Sequence, residues 1–289
     1  MRRALTLLAV AAVACSDTEF TPRWKVDRFR LLAVIADPPD AVTGETVTLS
    51  AVTANRPGAP RDAGFVWLSC ARVTIDNNTG ARGCDDAVPG LLTGNPARLT
   101  LAETPRDAAP WTVFGLACRG GTPSFDPVTM QPRCEGGEAE VFLRTIRQRG
   151  VVANHNPRIA AVTLDGAEMR AETATRVAPC AITDRDARDE QCTRHQLRVS
   201  FASDARETVS EVQPDGTTRQ LPEALVTEFV VDGGDLDGAF RSDNDLEAGA
   251  TTHVNAFRAP ASGTVNLWVI ARDGRGGFDV VTRAIDVAM

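Results

Sequence analysis

From residue 28 onward, apolar positions come in short runs broken by glycine, proline and aspartate, and no stretch keeps a long helical period. Residues 28–35 read as a strand that stops at Asp37-Pro38-Pro39-Asp40, because proline lacks the N–H a ladder needs and favours turns. After Gly44, Val47, Leu49 and Ala51 alternate with Thr46, Thr48 and Ser50, the period of two that gives a strand one dry face. Residues 97–101 and 139–143 alternate as well. Residues 64–70 and 111–118 are nearly continuous apolar runs, as central strands of a sandwich would be. Polar residues 148–157, closed by Asn154-His155-Asn156-Pro157, read as a boundary.

A second strand series follows at 159–164, 196–202, 224–231, 252–257, 264–271 and 278–287. Its last two members form the clearest hairpin: Val265, Leu267 and Val269 alternate with their neighbours before Asp273-Gly274-Arg275-Gly276-Gly277 turns the chain back. Glycine supplies the positive φ such turns need. Regular short strands without long helices predict an all-β chain of two β-sandwiches in tandem, over residues 28–148 and 155–289. Trp67, Trp111 and Trp268 fall in strands and are expected to face a core, with Trp24 in the segment before the first strand.

The N-terminus has a different pattern. Arg2 and Arg3 precede an apolar stretch that ends at Ala14, with Cys15 next: an n-region, an h-region and a small-residue cleavage site. The apolar stretch is far shorter than the roughly 20 residues that span a bilayer. Export and cleavage after Ala14 are expected. Ala12-Val13-Ala14-Cys15 resembles the lipobox of bacterial lipoproteins, with Ala12 where that family usually has Leu. The resemblance implies a signal peptide at 1–14, a diacylglyceryl group on Cys15, and a lipidated tether at 15–27 that attaches the chain to a membrane. Ser16, not Asp, follows the cysteine, which in that family points to the outer membrane over the inner. The other reading is an ordinary signal peptide cut at the same bond, leaving a free Cys15. About ten tether residues reach at most ~35 Å, which would keep the first domain near the membrane.

Cysteine counting favours lipidation. The chain has seven cysteines, and an odd number in an exported protein leaves one unexplained. With Cys15 lipidated, Cys70, Cys84, Cys118, Cys134, Cys180 and Cys192 can pair completely. Cys70 and Cys118 each end an apolar strand; if those strands are antiparallel neighbours, the two cysteines lie roughly 20 Å apart, too far for a bridge. Local pairing is expected instead: Cys70–Cys84, Cys118–Cys134 and Cys180–Cys192, each closing a polar loop.

Net charge is −7 for the whole chain and −9 once Arg2 and Arg3 leave with the signal. No basic cluster gives an electrostatic footprint for nucleic acid. Membrane attachment would come from the lipid at Cys15 and not from a polybasic face.

Two segments resemble immunoglobulin-like modules of bacterial surface lipoproteins: the opening Asp37-Pro38-Pro39, Gly44 and Thr46-Val47-Thr48-Leu49, and the closing hairpin at 265–277, which is similar to that of PKD-like or cadherin-like modules. The resemblance implies extracellular sandwich modules and brings no catalytic residues. The immunoglobulin Cys–Trp–Cys framework is not matched, because no cysteine lies in the strand before Trp67.

Chemistry-bearing motifs are few. His155, His195 and His253 are dispersed and read as solvated surface residues; no H-E-x-x-H, G-x-S-x-G or P-loop occurs. Asp232, Asp235 and Asp237 gather in a glycine-bearing loop, with Asp243 and Asp245 close behind. They are weak calcium candidates, since calcium takes six to eight oxygens but the spacing fits no EF-hand; a solvated acidic loop is the default and no cofactor is expected. Tyr is absent, which weighs against an aromatic glycan platform. The expectation is a non-enzymatic binding, adhesion or scaffolding lipoprotein at the cell envelope, with a protein partner there. The alternatives are an anchored hydrolase with a site dispersed over loops and a glycan-binding module.

Overall fold

Strand β1 (Arg30–Asp37) ends where Pro38 and Pro39 withdraw two donors from the ladder, and the chain changes sheets there. The computed structural model describes residues 21–59, 62–70, 73–75, 82–84, 90–101, 111–126, 131–150, 152–182, 185–212, 214–242 and 252–288. Past the prolines comes β2 (Asp40–Ala41), followed by β3 (Thr46–Ala54), β4 (Gly64–Cys70), β5 (Val73–Ile75), β6 (Arg82–Cys84), β7 (Gly90–Thr93) and β8 (Ala97–Thr100). The first series closes with β9 (Trp111–Arg119), β10 (Thr122–Phe125), β11 (Pro132–Glu135) and β12 (Glu138–Gln148). One sheet has the order β1-β3-β8 and the other β2-β12-β9-β4-β7, with β5–β6 and β10–β11 as separate hairpins. Strand β1 is antiparallel to β3, whereas β2 runs parallel to the end of β12, Arg147 opposite Asp40.

The second series repeats this plan. It comprises β13 (Ile159–Leu164), β14 (Ala167–Glu168), β15 (Thr175–Val177), the short helix α1 (Arg185–Gln191), β16 (His195–Phe201), β17 (Thr208–Val212) and β18 (Thr218–Pro222). Then come β19 (Val226–Val231), β20 (Asp235–Leu236), β21 (Phe240–Ser242), β22 (Thr252–Arg258), β23 (Gly263–Arg272) and β24 (Phe278–Val287). Its sheets are β14-β13-β16-β22-β20 and β15-β24-β23-β19-β21, and β15 again runs parallel to the last strand. Both units thus place strands in the A-B-E and G-F-C arrangement of an immunoglobulin-like sandwich. The chain is all-β in tandem sandwiches, as its periodicity predicts.

Each sandwich has its own core. Trp67, Leu49, Val113 and Ile146 centre the first; Phe229, Leu197, Leu267 and Ile285 centre the second. Trp67 lies edge-on to Phe142, ring centroids 4.8 Å apart, and donates its indole N–H to the Gly94 carbonyl at 2.7 Å. Its register partner Gly115 carries no Cβ, and one there would collide with the Phe142 ring.

The continuous apolar runs have a reason beyond central position: both of their faces are covered. On β4 and β9, Val66, Leu116 and Cys118 pack on the reverse face with Phe125 and Cys134 of the β10–β11 hairpin. On β23, Leu267 and Val269 enter the sandwich core while Trp268 and Ile270 join Val230, Val26, Ala33 and Ala54 in a third cluster between the sandwiches. Trp268 is buried as expected, but against the first sandwich and not inside its own.

Trp24–Val26 is not free tether. The Val26 amide donates to the Val231 carbonyl and the Val231 amide to the Trp24 carbonyl, each at 2.8 Å, while Val26 enters the interdomain cluster. The apolar side chains of Trp24 and Val26 gain burial that a solvated linker would deny them.

Candidate functional site

Two disulfides brace the loops. Cys118 bonds Cys134 with Cα atoms 5.4 Å apart, tying β9 to the β10–β11 hairpin, and Cys180 bonds Cys192 at 5.7 Å, closing the segment that holds α1. The antiparallel register sets Gly64 opposite Cys118 and Cys70 opposite Thr112, so Cys70 and Cys118 sit at opposite ends of the β4–β9 pair. The side chains of Cys70 and Cys84 lie outside the described residues, as do Cys15, the signal segment, Asp243 and Asp245.

The acidic loop serves the second disulfide loop. Asp235 pairs with Arg188 of α1 at 2.6 Å, and Arg188 also donates to the Ala259 carbonyl. Asp237 accepts from Arg258 at 2.8 Å and from Arg194, while Arg258 also meets Asp189 of α1 at 3.4 Å. Burial pulls the Asp237 carboxyl upward, but hydrogen bonds from Arg194 and Arg258 outweigh it and hold the group below its ordinary value. Asp232 turns elsewhere, to the Asn266 amide at 2.7 Å and the Asn266 side chain at 2.5 Å. The three calcium candidates therefore engage separate partners. Among the described residues, no three His, Cys, Asp or Glu side chains gather as a metal site.

A cavity of about 240 Å³ lies beside this loop, lined by Ala178, Pro179, Cys180, Gln191, Cys192, Thr193 and His195 among others. His195 Nδ1 is 2.7 Å from Asp165 Oδ2, and Asp165 Oδ1 accepts from the Gln196 amide. Burial raises the Asp165 carboxyl, but these two hydrogen bonds prevail and keep it below its ordinary value. With Nδ1–H donated to Asp165, Nε2 is left as an acceptor, enclosed and without a donor. His253 is buried too, its Nδ1 2.7 Å from the Thr227 hydroxyl and its ring edge-on to Phe201. The expectation of solvated histidines thus fails for both: they are 7% and 4% exposed. Each sits at an inward position of a sandwich strand, where an imidazole with one satisfied nitrogen packs as a flat, largely apolar ring. Trp67, Trp111 and Trp268 are buried and Trp24 is partly buried, so no row of exposed indoles forms a glycan platform.

A dense polar constellation lies at the domain junction. Arg275, at the tip of the β23–β24 hairpin, donates from Nε to Glu223 at 3.0 Å and from Nη2 to Asn154 Oδ1 at 2.8 Å, and lies 3.3 Å from Glu207. Its Nη1 also donates to the Val152 carbonyl. Asp273 accepts three backbone amides, from Arg275, Gly276 and Gly277, with one carboxylate oxygen, and its other oxygen takes Asn154 Nδ2. Glu207 accepts both the backbone amide and Nδ1 of His155, at 2.8 and 2.7 Å. From the first sandwich, Asp40 accepts the Asn154 amide, and Arg149 bridges Asp40 and Glu45. Arg144 of β12 reaches the Gly276 carbonyl and lies over the Phe278 ring, 4.9 Å from its centroid.

Glycine permits this approach. A Cβ on Gly277 would meet Asp273, the His155 carbonyl at 2.7 Å and Pro157 at 2.9 Å. Gly276, at φ +106°, supplies the positive φ. Asn154, Asn156, Arg275, Glu207 and Glu223 went unmarked in the sequence as a joint site. Their one local signal is the polar Asn-His-Asn run facing a glycine-rich hairpin more than a hundred residues away.

The sequence matches no protein-family model and no curated protein. Among solved structures, the chain is similar to the D00-D0 domain of intimin (10% identity, 91% of this chain and 99% of that one, TM-score 0.26). It is also similar to fibronectin(III)-like modules of Clostridium thermocellum CbhA (13%, 88% and 94%, TM-score 0.26) and to the Yersinia pseudotuberculosis adhesin InvE (12%, 89% and 60%, TM-score 0.23). Scores this low leave the functional argument to the residues of this chain.

Proposed function

We propose that the chain is a lipid-anchored envelope protein that acts by binding or scaffolding. The junction carries this reading. Linker side chains bonded to both sandwiches, over an apolar cluster shared by both, hold the two modules in one arrangement. A fixed pair of modules presents its loops in constant geometry and lowers the ordering cost of docking a partner. Anchoring rests on Cys15 behind its n- and h-regions, and Ser16 after it favours the outer membrane. The two disulfides fit an oxidising, extracytoplasmic compartment.

Two measurements test the proposal. Cys15→Ala should abolish metabolic labelling with palmitate and shift the protein out of the membrane fraction; labelling equal to wild type overturns the anchor. Proximity labelling from the anchored protein should recover one reproducible envelope protein. Turnover of a substrate by the purified chain would replace the binding role with an enzymatic one.

The hydrolase alternative has one observation in its favour, the His195–Asp165 pair beside a cavity. The cavity cysteines are bonded to each other, and Thr193 is the one hydroxyl among the described lining residues. On the binding reading, His195→Ala lowers stability and leaves partner recovery intact.

A further inference from the structure

We propose that Glu207, Glu223 and Arg275 form a proton-operated clasp that fastens the interdomain linker to the second sandwich. Three geometric facts converge. Both carboxylates lie on the same guanidinium, which also grips Val152 and Asn154 of the linker. Glu223 is 4% exposed, and its Oε2 is buried without a donor from any other group. Two carboxyl groups held on one guanidinium, one of them enclosed, favour a single proton between them over two charges. That proton is what satisfies the orphaned oxygen.

The charges around the pair come from four elements. The hairpin supplies Asp273 and Arg275. The linker supplies His155 on the outer side of Glu207. The segment before β17 supplies Arg206, which donates to the Glu223 carbonyl. Strand β12 supplies Arg144, whose buried guanidinium falls to about 10 yet stays cationic across the physiological range. Burial, the Glu207 partner and the Asp273 charge push the Glu223 carboxyl up to about 8, while hydrogen bonds from Glu223 and His155 outweigh burial to hold Glu207 low. Near neutrality Glu223 is therefore the donor and Glu207 the charged acceptor that binds the His155 amide. Removing the proton puts a second charge in an enclosed site, leaves Glu223 Oε2 unsatisfied, and makes both carboxylates compete for Arg275. The linker is the part that can yield, because it is held by these bonds and not by a ladder.

The test is hydrogen exchange at the His155 amide, which Glu207 holds, from pH 6 to 9.5. Wild type and Glu223→Gln are compared at each pH, so intrinsic exchange rates cancel. Glutamine keeps a donor toward Glu207 and cannot ionise. Protection in wild type should fall severalfold with a midpoint near pH 8 and stay constant in the variant. Equal protection of the two proteins across the range overturns the clasp. If Glu223→Gln does not fold, carboxyl ¹³C titration of wild type decides: a Glu223 midpoint below pH 6 also overturns it. Neither readout depends on whether Cys15 carries a lipid.

Discussion

Asn156 accepts the Phe278 amide of β24 at 2.9 Å while its own side-chain amide donates to the Ala36 carbonyl of β1 at 2.9 Å. One linker side chain thereby joins the first strand of one sandwich to the last strand of the other. Asn154 does the same two residues earlier, its backbone on Asp40 and its side chain on Asp273. The polar run that reads as a loose boundary is the place where the modules are stitched together.

Asn156→Ala should cost about 1–3 kcal/mol, because it strands the Phe278 amide donor and leaves the Ala36 carbonyl without its donor. Urea denaturation read by Trp fluorescence measures the loss. Asn156→Asp, which keeps the acceptor for Phe278 but not the donor to Ala36, should fall between wild type and alanine. A loss under a few tenths of a kcal/mol in the alanine variant would assign the coupling to the apolar cluster alone.

Trp268 anchors that cluster at 2% exposure. Trp268→Ala should destabilise by about 3–5 kcal/mol, the usual cost of emptying a buried aromatic site. Its distinguishing mark is cooperativity. Calorimetry should resolve two transitions in the variant, one per sandwich, where wild type melts as a coupled unit.

Non-reducing peptide mapping should recover Cys118 with Cys134 and Cys180 with Cys192. It should also recover Cys70 with Cys84, the pairing expected from sequence. Replacing Cys180 and Cys192 together by alanine should lower stability by about 3 kcal/mol on the loop-entropy account. The loss should concentrate in α1, which the Arg188 and Arg258 contacts then hold without the covalent closure. A peptide linking Cys180 to the first sandwich would refute the assignment.

Stability should respond to pH in two directions. Glu223 holds a proton in the folded state that the unfolded state releases near the ordinary glutamate value of about 4.5. Its contribution is full below about pH 4.5 and is lost as pH rises through about 8, so unfolding free energy falls across that window. Glu45, Asp165, Glu207 and Asp237 have depressed values, so theirs is full above the ordinary carboxylate range and lost on acidification. Chemical denaturation from pH 3 to 9 should give a maximum in between, and Glu223→Gln should flatten its alkaline limb alone.

The sequence by itself determined the strands and the sandwich class. Alternation at Val47, Leu49 and Ala51 is a local property, and so is the stop at Pro38-Pro39; both hold whatever the chain packs against. It also determined the local pairs Cys118–Cys134 and Cys180–Cys192, because short polar segments bring their own ends together. The short strands β2, β14, β15 and β20 escaped notice, since two or three residues carry no period and pair only once a long strand is already in place. Which apolar side chain met which core was decided by tertiary structure: Trp268 and Leu267 are neighbours on one strand, and burial on opposite faces sends them to different clusters. Charge obeyed the same logic. Asp235 and Asp237 read as a solvated or calcium-binding loop until Arg188, Arg194 and Arg258, all distant in sequence, were folded onto them. Glu207, Glu223 and Arg275 became one site only when a hairpin from the end of the chain reached the linker, and no pattern in a single strand of text records an encounter across a hundred residues.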